Sequence, residues 1–226
     1  MKSALQVNKE YSNNYKQELT EYKIPSMIEH FLNNNVHLVD LGCGDGRLIA
    51  SIKKKFPKMD VVGVDISDKR IKKLEKQFPN DLFLCEDVCY TSLLEESFDV
   101  VCCEQTIEHV ENDNQLIEEI VRVLKLGGYV YITSVIKHPL AFYKYRNRKG
   151  KIVLDPTHEK EYKSKKEFLE LFKKVGYAVK EKNHLHNFEY FQLLDIKLTP
   201  VRRKLFNIHI PIFGYYIIEC LFTTTY

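Results

Sequence analysis

Apolar positions along the 226-residue chain switch repeatedly between two periods. VHLVDLG (36–42) is a β-branched run that stops at glycine, and RLIASIKKKF behind it sets Leu48, Ile49, Ile52 and Phe56 at helical spacing. DVVGVDIS repeats the strand pattern. KRIKKLEKQF repeats the helix, with Ile71, Leu74 and Phe78 on one stripe and lysines on the other. DLFLCEDV, FDVVCCEQ and GGYVYITSV supply further strands, with helices expected at about 91–96 and 113–125. Strands alternating with helices predict an α/β fold, a parallel sheet covered on both faces.

After Ser134 the rhythm breaks. KHPLAFYKYRNRKGKIVLDPTHEKEY is aromatic, basic and irregular before a helix, SKKEFLELFKKVGY, resumes. HLHNFEYFQLLDIKLTPVRRKLFNIHIP is a second irregular stretch, and IPIFGYYIIECLF reads as a buried strand because Pro211, Gly214 and Glu219 interrupt it. The expectation is one domain over 1–226 with insertions at about 137–162 and 185–210.

Composition adds little to this picture. A hydrophobic content of 44% is enough for a sizeable core, and a net charge of +3 falls short of a nucleic-acid-binding stripe. The six cysteines lie in or beside apolar runs, so they read as small buried hydrophobes of a reduced, cytoplasmic protein. Cys85 and Cys89 have no second thiol pair to complete a metal site. No apolar run reaches the ~20 residues of a membrane span, and no signal peptide is evident.

Candidate chemistry gathers at VDLGCGDGR. Gly42, Gly44 and Gly46 sit at the first strand-to-helix turn, where open parallel sheets bind ligands. The spacing matches neither the dinucleotide motif nor a phosphate-binding loop with its Lys-Ser or Lys-Thr. Asp40 and Asp45 flank the glycines, where a carboxylate would repel a pyrophosphate and welcome an ammonium or sulfonium. Asp65 ends the second strand, nineteen residues after Gly46, and can accept from both hydroxyls of a ribose. Asp87 follows the third strand and can accept from an adenine amino group.

In this order, VDLGCGDG, VVGVDIS, CEDV, FDVVCCEQTIEHV and RVLKLGGYVYITS resemble the class I S-adenosylmethionine-dependent methyltransferases over about 36–134. The resemblance implies a Rossmann-like sheet of seven strands, mostly parallel, with the last strand antiparallel and a substrate-capping insertion. It implies S-adenosyl-L-methionine as cofactor. Asp40 and the loop Gly42, Cys43, Gly44 and Gly46 would hold its methionine end, Asp65 and Ile66 its ribose, and Asp87 and Val88 its adenine. Glu104 would open the segment beneath the sulfonium, with the N-terminal segment around Tyr11 and Tyr15 folding over the cofactor.

Methyl transfer to a hydroxyl needs alignment and a proton acceptor. Glu108 and His109 follow the fourth strand, and His158 lies in the first insertion, expected to arch over the acceptor. These three are the candidate catalytic residues. Gln105, Glu108 and His109 form Q-x-x-E-H, where RNA 2′-O-methyltransferases and ubiquinone-pathway O-methyltransferases have E-x-x-E-H and a divalent metal. An amide in place of the first carboxylate argues for no metal here. The expected partner is a small polar acceptor, a sugar or phosphorylated metabolite that KYRNRKGK can attract. RNA, with Tyr143, Tyr145, Arg146 and Arg148 as contacts, and a quinone-type acceptor are the enzymatic alternatives. A non-catalytic cofactor-binding subunit is the other class.

Overall fold

The computed structural model describes residues 3–14, 22–137, 145–173, 183–189 and 214–223. Seven strands form one sheet in the order β3-β2-β1-β4-β5-β9-β8. These are β1 (His37–Leu41), β2 (Asp60–Asp65), β3 (Leu82–Cys85), β4 (Phe98–Glu104), β5 (Leu124–Ile136), β8 (Asn183–Glu189) and β9 (Gly214–Thr223). β1 to β5 pair in parallel, and β9 runs antiparallel to both β5 and β8. A short hairpin, β6 (Tyr145–Arg146) with β7 (Ile152–Val153), stands apart from the sheet. The expected seven-stranded, mostly parallel sheet is therefore present.

Both faces of the sheet are buried, which is why its strands read as unbroken apolar runs. Leu38, Val100, Cys102 and Tyr131 pack on one face with α2 (Ser26–Glu29), α3 (Arg47–Lys55) and α4 (Asp68–Gln77). Val39, Val101, Cys103 and Ile132 pack on the other with α5 (Asp113–Val123) and α6 (Lys165–Lys173). The chain moves outward from β1 to β3 and then returns to pair β4 beside β1. That reversal opens a crevice beyond the carboxyl ends of β1 and β4. Helix α1 (Ala4–Asn14) buries Ala4 alone and lies over this crevice through polar contacts.

Three expectations are corrected. Residues 91–96 form no helix, because their polar groups are tied to α5: Thr91 N donates to Glu119 at 3.0 Å, and Glu96 N donates to the Arg122 carbonyl at 2.8 Å. The second insertion loses 185–189 to β8, an edge strand, and its remainder lies outside the described residues. Cys85 is exposed at the edge strand β3, unlike the five buried cysteines.

Gly46 caps α3 with φ +76°, and a Cβ there would stand 2.3 Å from Leu74 Cδ2 of α4. Gly46→Ala should cost about 1–3 kcal/mol, through positive-φ strain and overpacking. The urea midpoint should fall at unchanged slope; an unchanged midpoint would mean that the α3–α4 approach does not require glycine.

Candidate active site

The glycine loop is fastened to the neighbouring strand before any ligand enters. Gly42 N and Cys43 N both donate to the Val64 carbonyl, at 2.7 and 3.0 Å. Gly44 N donates to Asp65 Oδ2 at 2.9 Å, and Ser67 N donates to Asp65 Oδ1 at 2.8 Å. The glycines make room largely for the protein itself. A Cβ on Gly42 would fall 2.1 Å from Thr106 Oγ1, just as Leu74 excludes one on Gly46. At Gly44 there is space, the nearest side-chain atom being Arg70 Nη1 at 3.7 Å.

A cavity of about 430 Å³ opens beyond this loop, and Gly42, Asp65, Ile66, Asp87, Val88 and His109 line it. Six of the predicted site residues thus line one cavity. Asn8 and Tyr11 of α1 close the cavity from outside, whereas Tyr15 lies outside the described residues. Cys43 is buried beneath the loop in the α3–α4 core, so only its backbone serves the site. Asp87 Oδ1 accepts from Cys89 N at 2.9 Å, which fixes its carboxylate at the cavity wall. Asp45 departs from expectation: its carboxylate meets Lys73 at 3.1 Å and Arg70 at 3.7 Å, so its charge is already answered.

At the sheet crest, Asp40 and Glu104 stand on the face covered by α3. Tyr22 donates a short hydrogen bond to Glu104 Oε2, Glu104 Oε1 is buried without a partner, and Arg47 lies over the Tyr22 ring at 5.5 Å. Burial, then the charges of Glu104 and Asp65, push the Asp40 carboxyl well above its ordinary range. Burial also lifts Glu104 to about 7, against the pull of Tyr22 and Arg47. Two acids crowded in this way would be relieved by a cation. Tyr22, on a loop before α2, carried no sequence signal.

Around the 3-10 turn Ile107–His109 the predicted catalytic residues come together. The ligand atoms offered by Glu108, His109 and His158 all lie within 4.8 Å of one another. Thr157 Oγ1 donates to Asp155 Oδ1 at 2.5 Å, so it accepts from His109 Nδ1 at 2.9 Å. That leaves His109 Nε2 as the lone-pair nitrogen. Burial and the neighbouring His158 charge depress the His109 pKa to about 4.

His158 is the opposite case. It is buried behind His109, with ring centroids 4.8 Å apart, rather than on the cavity wall. Its Nδ1 meets buried Glu161 at 2.7 Å. Burial opposes its charge, yet the Glu161 hydrogen bond and the charges of Glu108, Glu161 and Asp155 raise its pKa above the ordinary value. Glu108 is fully buried and accepts from Ser134 Oγ at 2.9 Å, while its Oε1 has no partner. Asp155, Thr157 and Glu161 were missed in the sequence, since only the fold brings them to Glu108 and His109.

Two cations of the basic hairpin are paired with acidic side chains. Arg148 pairs with Glu111 and Glu159, Lys149 with Glu159 at 2.7 Å, and Arg146 donates to the Gly150 carbonyl at 3.0 Å. The charges of Arg148 and Lys149 are thus answered within the protein.

A histidine whose folded pKa exceeds its unfolded one stabilises the protein below the unfolded value, and that contribution disappears as pH rises through the folded one. Wild-type stability should therefore carry a His158 component lost on going from about pH 6.5 upward, and Glu161→Gln should flatten that slope. Ring titration by NMR should show His158 lowered in the variant. An unmoved titration would separate His158 from Glu161.

Comparison with known proteins agrees with this geometry. Residues 39–132 match the family model described as a methyltransferase domain. A malonyl-acyl-carrier-protein O-methyltransferase of Bacillus anthracis is 26% identical over 104 residues, 45% of this chain and 38% of the relative. A ubiquinone biosynthesis O-methyltransferase of Paracidovorax citrulli is 30% identical over 113 residues, 46% of each chain. These matches take in less than half the length of the curated relatives. Among solved structures, geranyl diphosphate C-methyltransferase from Streptomyces coelicolor superposes with TM-score 0.66 at 13% identity, covering 99% of this chain and 98% of that one. A methyltransferase of Methanosarcina mazei gives 0.64 at 16%, covering 90% and 99%. Residues 39–132 thus match a methyltransferase domain, and the fold of the chain is similar to that of solved S-adenosylmethionine-dependent methyltransferases.

Proposed function

We propose that the chain transfers a methyl group from S-adenosylmethionine to a hydroxyl oxygen of a small polar acceptor. The observation that supports this reading is one cavity lined by Asp65, Asp87 and His109 together. The residues fit the cofactor. Each Asp65 oxygen holds one backbone N–H and keeps lone-pair capacity for a ribose hydroxyl. The unpartnered Glu104 Oε1 beside Asp40 suits the positive charge of the methionine end. When bound, the cofactor supplies the electrophilic methyl group.

The chain's own residues do the rest. Asp155 and Thr157 fix the His109 tautomer, so that Nε2 can take the acceptor's proton and the resulting imidazolium is held by Thr157. Helix α1 covers the cavity, with Asn8 Nδ2 donating to the His109 carbonyl at 2.6 Å, and limits water there. The curated relatives named above are O-methyltransferases, which favours oxygen as acceptor. A small molecule is favoured over RNA because Arg148 and Lys149 are paired internally.

One observation favours a second reading of the same site. Glu108, His109 and His158 form a cluster suited to a divalent cation, with both Nδ1 atoms already engaged by Thr157 and Glu161 in the manner of outer-shell partners. An imidazole kept neutral by its surroundings is a ready ligand, and two imidazoles with one carboxylate suit a transition metal better than magnesium. In that reading Glu108, His109 and His158 would hold a divalent cation, which would supply Lewis-acid chemistry to the acceptor.

Labelled cofactor incubated with hydroxyl-bearing metabolite pools tests the function, with label in a methyl ether as the expected product and label in a methyl ester pointing instead to a carboxylate acceptor. Asp65→Ala should weaken S-adenosylhomocysteine binding by about 1.5–3 kcal/mol per hydrogen bond lost, with the fold retained. Unchanged affinity would move the ribose elsewhere. His109→Ala should lower turnover ~10²-fold or more with cofactor affinity nearly unchanged. If His109 acts as a base, activity survives EDTA. If a cation acts, EDTA abolishes activity, Mn²⁺ or Zn²⁺ restores it, and Glu108→Ala removes both the rescue and the Mn²⁺ signal by electron paramagnetic resonance.

A further inference from the structure

Arg70 lies in the first turn of α4, where its backbone N–H donates to the Ser67 cap at 3.3 Å. Its side chain is 16% exposed and turns back over the glycine loop to line the cavity. Nε stands 3.7 Å from Asp45 Oδ2, and Nη1 stands 3.9 Å from Asp65 Oδ2. Neither distance is a hydrogen bond, and both Asp45 Oδ2 and Arg70 Nε are buried without a hydrogen-bond partner. A guanidinium with five donors thus sits between two carboxylates, held by charge and committed to neither. Without it, Lys73, 3.1 Å from Asp45 Oδ1, would be left to offset the repulsion between Asp45 and Asp65.

We propose that Arg70 is a positioning residue for the cofactor: it balances Asp45 and Asp65 together and so keeps the Asp65 carboxylate charged and aimed at the ribose hydroxyls. This rests on the cofactor reading above. The groups facing Asp65 are Asp40 from β1, Cys43 and Asp45 from the loop, Cys85 from β3 and Arg70 from α4, and Arg70 is the cation among them. Burial pushes the Asp65 pKa up, and the Ser67 N–H, Arg70 and the Gly44 N–H pull it back. Removing Arg70 therefore raises that pKa further. Asp65 then protonates at a higher pH as pH falls, and a protonated acid has less acceptor capacity for two hydroxyls.

The test is titration calorimetry with S-adenosylhomocysteine from about pH 5 to about pH 8.5 on wild type, Arg70→Met and Arg70→Lys. Thermal melts show that each variant is folded. Arg70→Met should bind about tenfold more weakly at neutral pH, and the acid limb of its affinity profile should move to higher pH. Arg70→Lys keeps the charge and should recover most of the loss. Asp45→Asn added to Arg70→Met removes the part of the Asp45 repulsion that Lys73 leaves and should move the acid limb part of the way back. A loss of equal factor at every pH would make Arg70 a packing contact, and an unchanged profile would make it irrelevant; either result overturns the proposal. Wild type failing to bind the ligand would remove the cofactor reading and this one with it. Wild-type binding with an unmoved limb in Arg70→Met would remove this one alone.

Discussion

Two backbone N–H groups from different crossovers, Gly44 N and Ser67 N, converge on the buried carboxylate of Asp65. One belongs to the turn from β1 into α3 and the other to the turn from β2 into α4, so a single side chain sets how these two loops face each other. The Val64 carbonyl repeats the tie by accepting from Gly42 and Cys43. The cavity floor is built on this junction. The same bonds that hold the loops also orient the carboxylate at the cavity wall.

The residues on either side of that junction have opposite electrostatics. At the crest of β1 and β4, Asp40 and Glu104 are acids that burial holds above their ordinary pKa range. His109 is a neutral imidazole whose partner His158 is pushed the other way by Glu161 and Glu108. Two histidines whose rings nearly touch have their protonation preferences driven apart by what lies behind them. Such separation is what acid–base or cation chemistry requires, and its source is the pairing of the insertion 145–162 with the turn after β4.

Much of this was legible in one dimension. β1, β2, β4 and β5 read correctly because strands buried on both faces are unbroken apolar runs, and α3 and α4 because their apolar stripes meet the sheet on one side. The acidic residues at successive strand ends marked the cavity wall. Other features were beyond reach of the pattern. Arg70 stands among lysines in KRIKKLEKQF, and nothing in the spacing distinguishes a guanidinium folded over the loop from solvated neighbours. Residues 91–96 resembled a helix until Glu119 and the end of α5 claimed their polar groups. His158 was recognisable as a candidate, but Glu161 and the depth of the pocket behind His109 determine its state, and both come from tertiary contact.

The central claim is that Asp65 and His109 mark two ends of one cofactor and acceptor cavity. A crystal structure of the chain with S-adenosylhomocysteine tests it most directly. The account predicts the ribose hydroxyls on the Asp65 carboxylate, the adenine beside Asp87 and Val88, and the sulfur directed toward the space before His109. A ligand seated elsewhere, or bound with its ribose away from Asp65, would contradict it.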